Sequence, residues 1–318
     1  TRFQARFGSG GRGFVHADQK ARFGGRRLGR PGWDRVRAVD GQAKRPYGVA
    51  AVTLVSAREG AELKYVLTED DRYVVVHHRV QPDRPDVHVS ADGLDLSVIP
   101  GAGPEDQTRA VRVDVSLPPP RPDAVSLVSE GAGAEIFGLS FESDTPGLMY
   151  DAIGPVGADA TLWSQLEADS FRSAVESLAP AVFVIMLGGN DALAIRKGRR
   201  KLEDFEADLS ALVRRLRAAA PQADCLVFGP MDAAERRGGT LRTRAYVQEV
   251  LELERKVAKA EGCAFWDAWR AMGGEGSFGR WMAKGLMNPD LVHPRRRGGD
   301  LLGHLFAAAL SRAYLSGS

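Results

Sequence analysis

Ala181-Val182-Phe183-Val184-Ile185-Met186-Leu187, closed by Gly188-Gly189-Asn190-Asp191, is the stretch on which the fold turns. An unbroken apolar run, rich in β-branched residues and bounded by Pro180 and Gly188, reads as a strand buried on both faces of a parallel sheet. Strands and helices alternate downstream of it. Leu202 to Ala220 sets Leu209, Leu212, Val213 and Leu216 on one helical face, and Cys225 to Phe228 is a second apolar strand ended by Gly229-Pro230. Arg242 to Glu261 reads as a long charged helix, Ala264 to Asp267 as a short strand, and Leu301 to Leu315 as a closing apolar helix. Upstream, Leu162 to Leu178 is amphipathic. This βαβαβα order predicts a three-layer α/β fold, a flavodoxin-like parallel sheet flanked by helices.

The region before it has another texture. From about residue 45 to 141 short strand-like runs follow one another: 49–55, 62–67, 73–80, 86–89, 94–99, 110–117, 124–128 and 135–141. Glu69-Asp70-Asp71, Ala91-Asp92-Gly93 and Pro118-Pro119-Pro120 punctuate them as turns. Even spacing of this kind predicts an antiparallel β-sandwich of jelly-roll type. The expected organisation is an α/β domain over 1–42 and 142–318 with the sandwich, 43–141, inserted into it. The chain opens at Thr1-Arg2-Phe3 inside a helical stretch that reaches Phe7, which reads as a cut edge.

Composition bounds the function. The chain has 318 residues, 44% hydrophobic and 26% charged, as in a globular protein with a real core. A net charge of +2 argues against a dedicated nucleic-acid binder, and Arg26-Arg27 and Arg295-Arg296-Arg297 read as solvated surface. No apolar run is long enough to span a membrane, and no basic-then-apolar leader opens the chain. Cys225 and Cys263, each in an apolar strand-like run, read as two buried thiols, with a disulfide between neighbouring strands as the alternative.

Two constellations carry chemistry. In Gly188-Gly189-Asn190-Asp191 the glycines let the backbone turn sharply at the C-terminal edge of a strand, where open α/β sheets place their sites. An Asn there can present an NH2 donor to a developing oxyanion, and an ordinary helix N-cap is the competing reading. In Asp290-Leu291-Val292-His293-Pro294 a carboxylate three residues before an imidazole can fix its tautomer and steady the imidazolium.

In this order and context the two motifs resemble the SGNH/GDSL hydrolase superfamily, whose third block reads Gly-x-Asn-Asp and whose fifth reads Asp-x-x-His. The resemblance implies His293 as general base, Asp290 as its orienting partner, and Asn190 with the Gly157 amide as oxyanion donors. Gly157, in Ile153-Gly154-Pro155-Val156-Gly157-Ala158, matches the second-block glycine. An inserted sandwich is similar to that of bacterial peptidoglycan O-acetylesterases carrying a carbohydrate-binding-like module. The resemblance therefore implies a serine esterase, without metal or cofactor, acting on O-acyl groups of a polysaccharide or peptidoglycan outside the cytoplasm. The first block, Gly-Asp-Ser, is not in the sequence, so the nucleophile and the first strand are expected on a missing N-terminal segment.

Other serines and glycines offer weaker matches. Ala168-Asp169-Ser170 sits within a helix, Gly138-Leu139-Ser140-Phe141-Glu142 lacks the final glycine of a nucleophile elbow, and Ser9 lies in a glycine turn. Gly8-Ser9-Gly10-Gly11-Arg12-Gly13 fits a dinucleotide fingerprint in letters, but helix precedes it and strand follows, the reverse of what that site needs. His77-His78, adjacent on a strand, point to opposite faces and make no zinc pair. A second reading is a non-catalytic carbohydrate-binding or scaffold protein on the same fold. It would call for exposed aromatics, and the sandwich offers only Tyr47, Tyr65, Tyr73, Phe137 and Phe141.

Overall fold

The computed structural model describes residues 2–20, 26–41 and 44–316. Thr1 and the expected boundary at 42/43 lie outside the described residues. The chain divides into two compact units, Thr1–Val156 with Gln165–Ala179, and Gly157–Ser164 with Pro180–Ser318.

The first unit is a β-sandwich preceded by α1 (Arg2–Phe7). One sheet comprises β1 (Gly11–His16), β3 (Trp33–Arg37), β4 (Val52–Ser56), β6 (Tyr73–Val80), β9 (Gln107–Asp114) and β11 (Glu135–Glu142), in the order β3-β4-β11-β6-β9 with β1 also on β11. The other comprises β2 (Arg27–Gly29), β5 (Ala61–Val66), β7 (Val87–Ala91), β8 (Leu94–Ile99) and β10 (Ala124–Ser129), in the order β2-β5-β10-β7-β8. Every pairing in these two sheets is antiparallel. Alternate residues point inward, so Leu63 and Tyr65, Val74 and Val76, Val87 and Val89, and Leu127 meet in one core drawn from both sheets.

The sandwich takes in strands from 11 to 37, a stretch expected in the α/β part. Glycines at 11 and 13 hid the alternation of β1, because Gly13 has φ +78° and the register against β11 slips there. The amphipathic 162–178 run is also two helices, α2 (Ala160–Gln165) and α3 (Ala168–Leu178), parted where Glu167 caps α3 by accepting from the Asp169 and Ser170 N–H groups. α3 packs on β9 within this unit. Tyr47, Tyr65, Phe137 and Phe141 are core residues, and the Arg112 guanidinium lies 3.4 Å above the Tyr73 ring, so none of the five is an open sugar platform.

The second unit is α/β. Its parallel sheet runs β12 (Val182–Ile185), β13 (Asp224–Phe228), β16 (Ala264–Trp266). The helices are α2, α4 (Gly189–Arg196), α5 (Leu202–Ala219), α6 (Val247–Ala260), α7 (Ala268–Met272), α8 (Ser277–Ala283) and α9 (Arg296–Ser316). Leu209, Leu212 and Val213 of α5 are buried, as their spacing requires. The helix expected from Arg242 begins only at Val247, because a hairpin of β14 (Ala234–Arg237) and β15 (Thr240–Thr243) turns on Gly238-Gly239 just before it. Both glycines have positive φ, as the tight hairpin turn demands.

Two further expectations are corrected. β12 is not buried on both faces: Phe183 and Ile185 are, whereas Val182 and Val184 are 48% and 45% exposed. Its neighbours explain this, since among the described residues β12 pairs with β13 alone. Hydropathy records which residues avoid water, not which faces are covered within one stretch of chain. Cys225 and Cys263 are not free thiols but a disulfide tying β13 to the entry of β16.

Candidate active site

The site is built in the α/β unit, from the turn after β12 outward. Gly188 has φ +86°, and a Cβ on it would stand 2.4 Å from Glu254 Oε1 and 2.9 Å from a Val250 methyl, so only glycine fits. Asp191, in the first turn of α4, is wholly buried and reaches back to accept the Gly188 N–H at 3.2 Å. It also accepts the Ala160 N–H at 3.2 Å and pairs with Arg200, which in turn pairs with Asp208. Burial pushes the Asp191 carboxyl above its ordinary range, with Arg200 pulling the other way. This buried junction fixes the loop that presents Gly189 and Asn190, both exposed, to solvent.

Asn190 Nδ2 donates to the Ala158 carbonyl at 2.7 Å. That bond draws Gly157, the residue before it, to the same loop. Gly157 is exposed with φ +87°, and a Cβ built on it would meet nothing within 4 Å, so its conformation and not crowding calls for glycine. An amide nitrogen has two hydrogens, so the bond to Ala158 occupies one and leaves the other for a further acceptor.

Asp290 and His293 lie in a second turn of the same unit. Leu291 in the left-handed region (φ +65°) curls the chain so that Asp290 Oδ1 accepts the Val292 and His293 N–H groups at 2.9 Å each. Its other oxygen, Oδ2, stands 2.9 Å from His293 Nδ1. The carboxylate assigns the Nδ1 proton and leaves Nε2 as the basic nitrogen. Burial acts upward on Asp290, but the N–H groups of His293 and Val292 and the imidazole outweigh it and hold the carboxyl below its ordinary range. The turn is held from outside by Asn288 N–H to His293 O (2.8 Å), Arg295 N–H to Leu286 O (2.8 Å) and Ala234 N–H to Leu291 O (2.9 Å). The His293 side chain is 70% exposed. An oriented, accessible imidazole can take a proton from a hydroxyl, and among the described residues no hydroxyl is hydrogen-bonded to it.

The other serines have settled roles in the sandwich unit. Ser170 accepts the Gly48 N–H at 2.8 Å and shares a hydrogen bond with Thr108. Ser140 is bonded to His77 Nε2 at 2.9 Å, but both are core residues, and burial pushes that imidazole down to about 4. His78 turns to the Pro100 carbonyl instead, as adjacent strand positions require. Ser9 bridges to Leu148 and its Oγ faces the Gly11 N–H.

Arg200 and Glu254 escaped the sequence reading. Nothing in Arg199-Arg200-Lys201 distinguishes a buried arginine from a solvated one, and Glu254 lies on a helix whose other acids are exposed.

A sequence profile described as the GDSL-like lipase/acylhydrolase family matches residues 149–301, a range that contains Gly157, Gly188 to Asp191 and Asp290 to His293. A comparison with curated proteins finds no match. Among solved structures the chain is similar to a peptidoglycan O-acetylesterase, with TM-score 0.81 and 21% identity over 99% of this chain and 85% of that one. This likeness establishes the fold. Weaker likenesses are to a salicylyl-acyltransferase from a tetracycline biosynthetic pathway (TM-score 0.37, 16% identity, covering 94% of this chain and 95% of that one) and a carbohydrate esterase family 3 protein from Talaromyces cellulolyticus (0.40, 18%, 55% and 77%). Neither bears on the argument.

Proposed function

We propose, from the match of residues 149–301 to the GDSL-like lipase/acylhydrolase family, that the chain supplies the base and oxyanion donors of a serine esterase. Its substrate is an O-acylated, chiefly O-acetylated, bacterial polysaccharide or peptidoglycan. The observation that carries the reading is the Asp290 Oδ2–His293 Nδ1 contact at 2.9 Å with the imidazole otherwise open. A scaffold has no use for a base held in this way.

The chemistry follows from the atoms. A serine Oγ bonds to the acyl carbon while its proton passes to His293 Nε2, and the carbonyl electron pair moves onto oxygen. Asn190 Nδ2–H and the Gly157 N–H receive that oxyanion. Collapse breaks the bond to the sugar oxygen, which takes the proton from Nε2, and water repeats the sequence on the acyl-enzyme. Asp290 keeps its negative charge throughout and steadies the imidazolium.

The serine comes from a segment outside the 318 residues. β12 supports this. Val184 shares a sheet face with its partner Leu226, which lies in one core with Leu302 of α9, yet Val182, Val184 and Met186 are about half exposed. A further parallel strand and its helix along β12 would cover them and complete a three-layer, flavodoxin-like sheet. The substrate class is supported by the whole-chain likeness to a peptidoglycan O-acetylesterase. The Cys225–Cys263 disulfide suits an oxidising, extracytoplasmic location.

Acetate release from O-acetylated peptidoglycan by the upstream-extended protein tests the assignment. His293→Ala should lower turnover by about three orders of magnitude or more, as loss of a triad member does. An unchanged rate would remove His293 from the mechanism.

A further inference from the structure

Beside the Asp290–His293 turn stands a group of arginines that the ester chemistry does not use. In the β14–β15 hairpin, Ala234 pairs with Thr243 and Arg236 with Leu241, and Ala234 and Leu241 lie on the core that includes Phe278 and Trp281. The opposite face carries Glu235 across from Arg242, and Arg237 across from Thr240. Glu235 is 7% exposed and is shared between Arg196, at the end of α4, at 3.0 Å, and Arg237 at 2.5 Å. Its charge is therefore already divided between two guanidinium groups.

Arg244 follows directly. Its N–H donates to Ala233 O at 2.7 Å and its Nη2 reaches Ala234 O at 3.3 Å. Ala234 in turn donates its N–H to Leu291 within the Asp290–His293 turn, so a single residue joins Arg244 to that turn. Among the described residues Arg244 has no carboxylate within ion-pair distance, and its Nε is buried without a partner. The charges felt by its guanidinium are Arg196, Glu235 and Asp290. Asp290 is engaged with the imidazole and Glu235 with two other arginines. Arg244 thus carries a half-buried positive charge without a dedicated counter-ion, within the field of the Asp290 that orients the imidazole, and a guanidinium so placed suits an external carboxylate.

We propose that Arg244, backed by Arg196, binds a carboxylate of the substrate, so that the esterase selects acyl esters on acidic glycans over those on neutral ones. The two outer guanidinium nitrogens can meet a carboxylate bidentately, and steering by the surrounding arginines raises the encounter rate with a polyanion. The carboxylate is carried either by the sugar itself or by a peptide attached to it. The proposal rests on the esterase reading for the location of the ester, though not for the binding of the acid.

The test has two arms. In the first, the upstream-extended protein and its Arg244→Gln and Arg244→Lys variants are compared on acetylated neutral oligosaccharides and acetylated uronate oligosaccharides. Acetylated muramoyl oligosaccharides with and without their peptides complete the set. The ratio of kcat/KM for acidic over neutral substrates should fall about 10- to 100-fold in Arg244→Gln, mainly through KM, with partial recovery in Arg244→Lys. A fall confined to peptide-bearing substrates assigns the carboxylate to the peptide; a fall on all acidic glycans assigns it to the sugar. A ratio unchanged in both variants overturns the proposal. In the second arm, the 318-residue chain itself is titrated by NMR with deacetylated muramoyl and neutral oligosaccharides. Binding of the acidic ligand should weaken at least 10-fold in Arg244→Gln and with added salt. Equal binding of both ligands contradicts the proposal even in a protein that hydrolyses nothing, so failure of the esterase reading is told apart from failure of this one.

Discussion

Glu254 shows how much the loop after β12 depends on one side chain. The residue is wholly buried on α6, neither carboxyl oxygen has a hydrogen-bond partner among the described residues, and it packs against Gly188. Burial first, and the neighbouring Asp191 second, drive its pKa well above the ordinary carboxyl range. The folded state therefore keeps a proton that the unfolded chain has already released. Stability must fall as pH rises from the ordinary carboxyl range toward the raised value, by up to about 1.4 kcal/mol per pH unit for one proton. Glu254→Gln should remove this part of the slope. Urea unfolding at about pH 5 and about pH 8 would show it, with Asp191 and Arg200 contributing alike to both proteins. Parallel slopes would mean that Glu254 is not held neutral. The Asp290–His293 contact was legible because a carboxylate three residues before an imidazole can reach it. The burial of Glu254, Arg200 and Arg244 was not, because burial of a charge is decided by how separate elements pack around it and not by the residues beside it in the chain.

At the scale of elements, periodicity located most of the sandwich strands, with 73–80 and 94–99 matching β6 and β8 end to end. It failed where glycine interrupts the pattern, at β1 and at the Gly238-Gly239 turn of the β14–β15 hairpin. It also failed where an apolar run says nothing about its neighbours, at β12. The cysteines mark the same limit. Each lies in an apolar run, and only the adjacency of β13 and β16 makes them a pair. The bridge closes a loop of 38 residues and should contribute about 2–4 kcal/mol. The double variant Cys225→Ala, Cys263→Ala should therefore unfold at a lower denaturant concentration than the parent, and reductant should lower the parent's midpoint without moving the variant's. Coincident curves in all four conditions would show that packing alone holds the two strands together.

For the molecule as a whole, the two architectures were visible as two textures of sequence, and the division between them was not. The sandwich closes its core with strands drawn from 11–37 and with α3, while Gly157 and Ala158 go to the α/β unit that holds Asn190, Asp290 and His293. Chain order and spatial grouping part company here because a strand pairs with whichever edge fits, not with its sequence neighbours. The central claim is that this grouping is the base and oxyanion half of a serine esterase. Hydrolysis of p-nitrophenyl acetate by the 318-residue chain, by the upstream-extended protein, and by the extended His293→Ala variant tests it most directly. The account predicts turnover in the extended protein alone. Equal turnover by the 318-residue chain, or by the variant, would contradict it.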